Sequence, residues 1–248
     1  MRRFLSSLIL SLALTARLAA GSPLPSSSER IAPEDLQYKV MFKWGLINKQ
    51  AGSAHLSLKH EKDGYHSLLA ASSAPWADKI YRVRDTLLCH MDYQGMKPRT
   101  YVKIANEAAE HKHDRVEFHY SSRPGVSADC YRKVFSKGQL KVDEHKRFES
   151  DSCAVDMLSA FYLMRTLPYQ DWMPGHEYKV PIFSGKQKET LTIRYQGLSD
   201  VKIDNKSYPS YHITFIFTSK GGTKSSDDMD AWISSDKKRI PLRLEGKL

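Results

Sequence analysis

The chain has 248 residues, with 38 Lys and Arg against 28 Asp and Glu, so its formal net charge is +10. Hydrophobic residues make up 41% and charged residues 27%, a balance that excludes wholesale disorder, collagen and coiled-coil arrays. The length allows one large all-β domain or two small domains. Three cysteines are too few for a disulfide-rich scaffold.

Residues 1–20 have the layout of a secretory signal peptide. Two arginines precede a mostly apolar run over residues 4–14, and small residues follow. Arg17 makes the apolar run shorter than the about 20 residues that a membrane span needs. A short buried helix is the alternative interpretation. We expect cleavage of this segment and export of a soluble protein, without a lipid anchor because the first cysteine is Cys89.

Residues 21–35 are rich in Pro and Ser and predict a flexible leader, after which residues 36–248 form one domain. Removal of the signal peptide takes away three arginines and no acidic residue, which lowers the formal charge from +10 to +7. The remaining Lys and Arg are scattered among Asp and Glu. This pattern disfavours nucleic acid as a partner and favours an anionic envelope polymer or lipid head group.

Alternation of apolar and polar residues dominates the chain after the leader. Its period of two is typical of strands with one buried and one wet face. The pattern is clearest over residues 38–44, 54–59, 191–196, 211–217 and 240–244. Turn residues such as Asp63-Gly64 and Asp204-Asn205 punctuate these segments. The sequence therefore predicts a mainly β protein with a curled antiparallel sheet, either a half-barrel or a barrel.

Two segments break the alternation. Residues 152–167 are apolar nearly all the way round, with Asp156 near the start and Pro168 directly after the end. This pattern predicts a helix that is buried rather than lying on a surface. A short helix is predicted over residues 75–81, with Pro75 in its first turn. We expect the curled sheet to wrap around the longer helix.

Three segments of the chain resemble one known family. The first is residues 156–165, which begin Asp-Met-Leu-Ser. The second is residues 229–236, followed by Arg-Ile-Pro at 239–241. The third is residues 44–47 together with 52–54. They resemble, in that order, the helix signature, the closing hairpin and the opening strands of a bacterial family of exported domains of unknown function, number 3108. The resemblance covers residues 38–245, nearly the whole mature chain.

This resemblance implies a periplasmic, mostly antiparallel β domain. More loosely, the chain is similar to the lipoprotein-carrier half-barrels, in which a curved sheet wraps around a helix. The family brings no established activity and no catalytic residues. We therefore assign no catalytic residue and no cofactor, and we expect the protein not to be an enzyme.

Five aromatic residues on the predicted elements are candidates for lining a lipid cleft. They are Trp44, Trp76, Phe161, Tyr162 and Trp232. Aromatic residues on alternating strands also form ordinary cores, and this alternative stays open. Asp156 and Arg165 are the polar residues near the two ends of the apolar helix. We predict that they anchor the helix to the sheet, because buried charges need partners, with ligand binding as the alternative.

His111 and His113 share one face of a strand and are the candidates for a metal site. Given a third ligand, with Glu107 and Glu110 nearby, they could hold zinc or copper. The polar stretch around them, residues 106–115, is typical of a hairpin tip, where solvated histidines are the alternative. We therefore assign no metal.

The three cysteines lack the spacing of a metal site. In an oxidising compartment the preferred bridge is Cys130 with Cys153, which would tie a strand to the start of the helix. Cys153 is alternatively a nucleophile activated by the helix end, or a small packed residue.

These patterns leave three functions open. The leading hypothesis is a non-enzymatic envelope protein that binds an apolar or amphipathic ligand, such as a lipid or a lipoprotein acyl chain. The second is a scaffold that contacts polysaccharide or a protein complex. The third is a hydrolase or metal-dependent enzyme that uses His111, His113 and Cys153. An open cleft between helix and sheet favours the first, and a filled one favours the second. The sequence leaves the oligomeric state open.

Overall fold

The computed structural model describes residues 30–44, 47–121, 124–219, 223 and 228–246. The predicted signal peptide and the leader up to residue 29 lie outside this part. The described chain forms thirteen strands and one α-helix. They are β1 (Glu34–Trp44), β2 (Ile47–His60), β3 (Gly64–Ser73), β4 (Val83–Asp92), β5 (Pro98–Glu107), β6 (Glu110–Tyr120), β7 (Val126–Ser136), β8 (Gln139–Ser150), α1 (Met157–Thr166), β9 (Glu177–Phe183), β10 (Lys188–Ile203), β11 (Lys206–Thr218), β12 (Met229–Ser234) and β13 (Pro241–Gly246).

The strands form two antiparallel meanders. β1–β8 make an eight-stranded sheet in chain order, and β9–β13 make a five-stranded sheet, also in chain order. The predicted mainly β, antiparallel architecture is confirmed. Closure into a barrel is wrong, because β1 pairs with β2 and β8 with β7, so the eight-stranded sheet has two open edges. The chain leaves the first sheet after β8 to form α1, and β9 then begins a second sheet.

α1 begins five residues later than the predicted helix of residues 152–167. The residues before it are extended: Asp156 has φ −100° and ψ −178°, and Val155 forms a parallel bridge with Ile182 of β9. Backbone hydrogen bonds of 2.9 Å run from Val155 N to Pro181 O and from Phe183 N to Val155 O. These bonds hold Val155 against the second sheet, so the helix cannot extend back through this residue.

The end of α1 agrees closely with the sequence, and the short second helix is smaller than predicted. Leu167 is extended, with φ −71° and ψ 139°, because the ring of a following proline disfavours helical backbone. The helix predicted over residues 75–81 is a single 3₁₀ turn at Ala77–Lys79. A second 3₁₀ turn, at Tyr169–Asp171, follows α1.

α1 lies between the two sheets and packs against both. Leu158 and Tyr162, four residues apart and so on one face, belong to the core of the first sheet. Leu163 and Met164 belong to the core of the second sheet. The exposed fractions of Leu158, Tyr162 and Leu163 are 2%, 0% and 4%. Side chains therefore fill the space between the helix and each sheet. The sequence had left open whether this space is an open cleft or is filled.

The first sheet continues beyond the helix. No residue of β8 is buried, and only Phe148, near its end, packs partly against the core. The neighbouring strands carry charged side chains at alternate positions, including Lys112 on β6 and Arg132 on β7. This end of the sheet therefore carries exposed and charged side chains, whereas the part that covers α1 carries buried apolar ones.

Candidate functional site

The aromatic residues predicted to line a cleft do not meet in one place. Tyr162 is buried between α1 and the first sheet, where its Oη lies 3.0 Å from the Oγ of Ser67. Phe161 is partly buried and packs against both cores. Trp76 donates from Nε1 to the carbonyl of Gln50 at 2.8 Å, beside the short 3₁₀ turn. The side chain of Trp44 lies outside the described residues.

Trp232 lies on the outer face of the second sheet. Its neighbours Ala231 and Ile233 are 3% and 0% exposed. Because successive side chains of a strand project from opposite faces, Trp232 projects away from the core. There its ring stacks on His212, with centroids 4.6 Å apart, and Arg243 lies over it. The four described aromatic residues therefore lie in three separate places, and Trp232 does not face the helix.

Asp156 is the N-cap of α1, and the helix start is built around its carboxylate. Its Oδ1 accepts from the N–H groups of Leu158 at 2.7 Å and Ser159 at 2.9 Å. The Ser159 hydroxyl donates to Oδ2 at 2.8 Å and also accepts from the Asp156 N–H at 2.9 Å, which completes a capping box. The thiol of Cys89 on β4 donates to the same Oδ2.

This cluster is sealed from solvent. Asp156 is 0% exposed and Cys89 is 1% exposed. Tyr101, which lies opposite Cys89 in the β4–β5 pair, is also 0% exposed. Burial raises the pKa of Asp156, although the surrounding donors oppose the shift. Burial, followed by the charge of Asp156, raises the pKa of the Cys89 thiol. A solute from solvent cannot reach these groups in the folded protein. Their role is therefore structural: they connect the start of α1 to β4.

Arg165 joins three parts of the chain near the other end of α1. Its guanidinium forms a two-pronged ion pair with Glu34 of β1. It also donates to the carbonyls of Lys238 at 3.0 Å and Arg239 at 2.9 Å, in the turn between β12 and β13. Both ends of the helix are thus held by polar side chains.

The preferred bridge between Cys130 and Cys153 is wrong, because all three cysteines are free thiols. Cys130 belongs to the core of the first sheet, whereas Cys153 packs against the core of the second. The fold therefore does not join the two thiols. Cys130 is 1% exposed, and burial raises its pKa to about 12.

The stretch of residues 106–115 contains the tip of the β5–β6 hairpin, and His111 and His113 lie on β6 directly after it. The turn is confined to Ala108 and Ala109; β6 pairs with β7 along its whole length and with β5 over Glu110–Glu117. His111 is hydrogen-bonded through Nδ1 to Asn106 and its ring lies 6.0 Å from that of Phe135. Neither histidine belongs to the group of metal-ligating side chains that the described residues bring together.

A groove opens at the end of the first sheet beyond α1, and we call it the β6–β8 groove. Its volume is about 770 Å³. Apolar side chains of β7 and β8 line it, together with basic side chains of β6, β7, β8 and the turn between β9 and β10. They are Val134, Val142 and Phe148, with Lys112, Arg132, Lys146 and Lys186.

The basic side chains of the β6–β8 groove are held in place by acids. Arg132 binds the buried carboxylate of Asp114 through two contacts of 2.8 and 2.9 Å. Lys112 lies 2.8 Å from Glu107 and 2.9 Å from Glu110. The groove lining itself has four basic residues against two acidic ones, Glu110 and Glu144. Glu107 and Asp114 neutralise Lys112 and Arg132 from behind the lining, so the exposed Lys146 and Lys186 are the basic groups open to an anion beside the apolar surface.

A second groove, of about 820 Å³, lies at the β1–β5 end of the same sheet. Its lining is mainly polar and includes Gln37, Lys39, Arg84 and Asp85. Its apolar lining residues are small, apart from Tyr38. The two grooves therefore differ in chemistry, and the second one provides a comparison for the first.

A family model described as "Protein of unknown function (DUF3108)" matches residues 37–248. The chain belongs to this family. The match confirms the resemblance drawn from the helix and the closing hairpin. Comparison with curated proteins and with solved structures finds no match. The family description states no activity, so the function of this DUF3108 chain has to be argued from its own residues.

Sequence reasoning missed the β6–β8 groove. The only signal was weak alternation over β8, where Val142 and Phe148 stand among charged residues. Charged neighbours hid the strand, because the partners of Asp143 and Arg147 are Lys133 and Asp129 on β7. No helix in the described part of this DUF3108 chain has the length and apolar character that crossing a bilayer requires.

Proposed function

We propose that this DUF3108 chain is an exported, non-enzymatic protein of the periplasm that binds an anionic amphiphile in the β6–β8 groove. The ligand class is a lipid or acyl chain with an acidic head group. The observation that carries the proposal is the pairing, in one groove of about 770 Å³, of an apolar surface with two exposed lysines, Lys146 and Lys186. Small-molecule sites typically have volumes of about 300–1,000 Å³.

The apolar part of the groove supplies the affinity. Val142 and Phe148 are only half-buried in the free protein, so an acyl chain laid on them removes further apolar surface from water. Burial contributes about 0.8 kcal/mol per methylene, so six methylenes contribute about 5 kcal/mol before the cost of binding. The affinity expected for a single chain is therefore modest.

The basic part of the groove supplies selectivity. Lys186, in the turn between β9 and β10, is exposed, and Lys146 of β8 pairs with Glu144 at 2.6 Å near the surface. Exposed ion pairs of this kind are worth little, so an incoming carboxylate or phosphate can compete for the ammonium group. We expect a charged head group to bind better than a neutral one, and salt to weaken the difference.

The test is a titration of the protein with dodecanoate, kept below its micelle concentration, by isothermal calorimetry. We expect saturable binding that Val142→Glu weakens at least about tenfold, because a like charge then lies in the apolar part of the groove. Val142 is the position of choice because Phe148 also contacts Phe183 of the core, with rings 5.8 Å apart. Dodecanol, which has the same chain without the charge, should bind less well.

The matched control is Lys39→Glu in the second groove, which should leave dodecanoate binding unchanged. Lys39 is an exposed side chain, so its replacement should not disturb the fold. Failure of the unaltered protein to bind dodecanoate, or equal binding by the Val142→Glu variant, would contradict the proposal.

A scaffolding role in the envelope is the second candidate, and the filled helix–sheet interface favours it. Tyr162 and Leu158 close the space in which a carrier of the half-barrel type would hold its ligand. On this alternative the protein binds no amphiphile, and a protein or polysaccharide partner is retained after detergent washing in a pull-down from envelope extracts.

A further inference from the structure

Three metal-ligating side chains meet on the outer face of the first sheet, away from both grooves. His66 of β3 and His90 of β4 are directly opposite each other in the antiparallel pair, and their ring centroids lie 4.6 Å apart. Glu61 belongs to the turn between β2 and β3, and its Oε2 lies 3.6 Å from Nδ1 of His90. One ligand atom from each residue lies within 4.8 Å of the other two.

The donor set and its spacing suit a transition metal. Two imidazoles and one carboxylate are ligands of zinc and of related first-row metals. A tetrahedral ion with bonds of about 2.1 Å holds its ligand atoms about 3.4 Å apart. The distance from Glu61 to His90 is already close to this value. The other two distances are at most 4.8 Å.

The backbone beneath this cluster is well supported. Tyr65 and Met91, the neighbours of His66 and His90 on the buried face, are 2% and 1% exposed. At Gly64 a Cβ atom would lie 2.1 Å from the carbonyl oxygen of Met91, so glycine permits the close approach of β3 to β4. Ligands that project from two paired strands are held more accurately than ligands on loops.

We propose that Glu61, His66 and His90 form a binding site for one divalent transition-metal ion of the zinc class, with solvent as the fourth ligand. Both histidines are partly exposed and Glu61 is exposed, so the ion has an entry path and solvent reaches the open position. The site differs from the one predicted at His111 and His113, and it is independent of ligand binding in the β6–β8 groove.

The test uses the full chain, purified without a polyhistidine tag and treated with chelator. Calorimetry with zinc chloride should give one site, which Mg²⁺ does not occupy. We expect the double variant His66→Ala/His90→Ala to lose this site. Glu61→Gln should weaken it at least about tenfold, the loss typical even of an outer-shell partner. Co²⁺ should give the intense visible absorption of a tetrahedral ion in the unaltered protein alone.

The matched control is His119→Ala/His145→Ala. These two imidazoles also lie on the first sheet, each 2.9 Å from a carboxylate oxygen of Asp129, and their removal should leave zinc binding unchanged. Near-ultraviolet circular dichroism shows whether each variant is folded. If His66→Ala/His90→Ala does not fold, the single variant His90→Gln is tested in its place. Unchanged zinc binding in the His66 and His90 variants, or equal loss in the control, overturns the proposal.

Discussion

The thiol of Cys89 on β4 lies 3.0 Å from the Oδ2 of Asp156 at the start of α1, with both side chains removed from solvent. The two residues are 67 positions apart in the chain. Their contact makes one carboxylate serve both as the helix cap and as a link to the centre of the eight-stranded sheet. The position of α1 against the first sheet therefore depends on Asp156.

Replacement of Asp156 by Ala should destabilise the protein by about 2–4 kcal/mol. The variant loses the cap and leaves the buried donors of Cys89 and Ser159 without their acceptor. Asp156→Asn should cost less than half as much, because its amide oxygen can still accept from the helix N–H groups. Urea unfolding gives the free energies. The control is Asp151→Ala at an exposed position, which should stay within about 0.5 kcal/mol.

The stability difference between the unaltered protein and Asp156→Asn should depend on pH. Burial raises the pKa of Asp156 in the folded protein above its ordinary value of 3.8, so the folded state holds this proton more tightly than the unfolded state. This contribution is fully present below pH 3.8 and is lost as the pH rises through the folded pKa. The advantage of the unaltered protein should therefore shrink as pH increases, and a difference that grows with pH would contradict this assignment.

Native alkylation should separate the three cysteines. Burial raises the pKa of Cys130 to about 12, and burial with the Asp156 charge raises that of Cys89, so few thiolates form at pH 8. At a pKa of about 12 the thiolate fraction is ~10⁻⁴ at that pH. We expect iodoacetamide to label the partly exposed Cys153 first and the other two only after denaturation. Peptide mass spectrometry reads out each site, and rapid labelling of Cys89 in the folded protein would be inconsistent with the sealed cluster.

Glu34→Ala should destabilise the protein by about 3–5 kcal/mol. The side chain of Arg165 is 3% exposed, and loss of its ion-pair partner leaves a buried guanidinium charge held only by carbonyl groups. The comparison is Glu245→Ala, which removes the partner of Arg243 from an exposed pair and should cost less than about 1 kcal/mol. Thermal and urea unfolding measure both, and equal effects would show that burial of Arg165 is not decisive.

Tyr101→Phe should leave stability unchanged or raise it by about 1 kcal/mol. Among the described residues, the buried Oη of Tyr101 has no hydrogen-bond partner, and an unsatisfied buried hydroxyl costs free energy. The same change at Tyr162 removes an Oη that lies 3.0 Å from Ser67 Oγ, and it should cost about 1 kcal/mol. A loss of stability for Tyr101→Phe similar to that for Tyr162→Phe would point to an ordered water at Tyr101.

The strands of the second sheet were readable from the sequence because one face of each is apolar. Leu191, Ile193 and Tyr195 are buried as their alternation predicts, and so are Ile213 and Phe215. Strand β6 was not readable in this way. Lys112 and Asp114 look like surface residues in sequence, yet they find ion-pair partners on β5 and β7. Alternation reports burial in an apolar environment, and it does not report charges that neighbouring strands neutralise.

The sequence by itself determined the strand-rich class, the family and the presence of one apolar helix, since these follow from local periodicity and a short residue pattern. Only the tertiary structure decided that the strands divide into two sheets with α1 filling the space between them. It also decided which polar groups meet: His66 joins His90, and Arg132 joins Asp114, through strand pairing. The register of paired strands, that is, which residues lie opposite each other, sets these contacts. Register depends on both strands of a pair and so is not contained in the sequence of either strand alone.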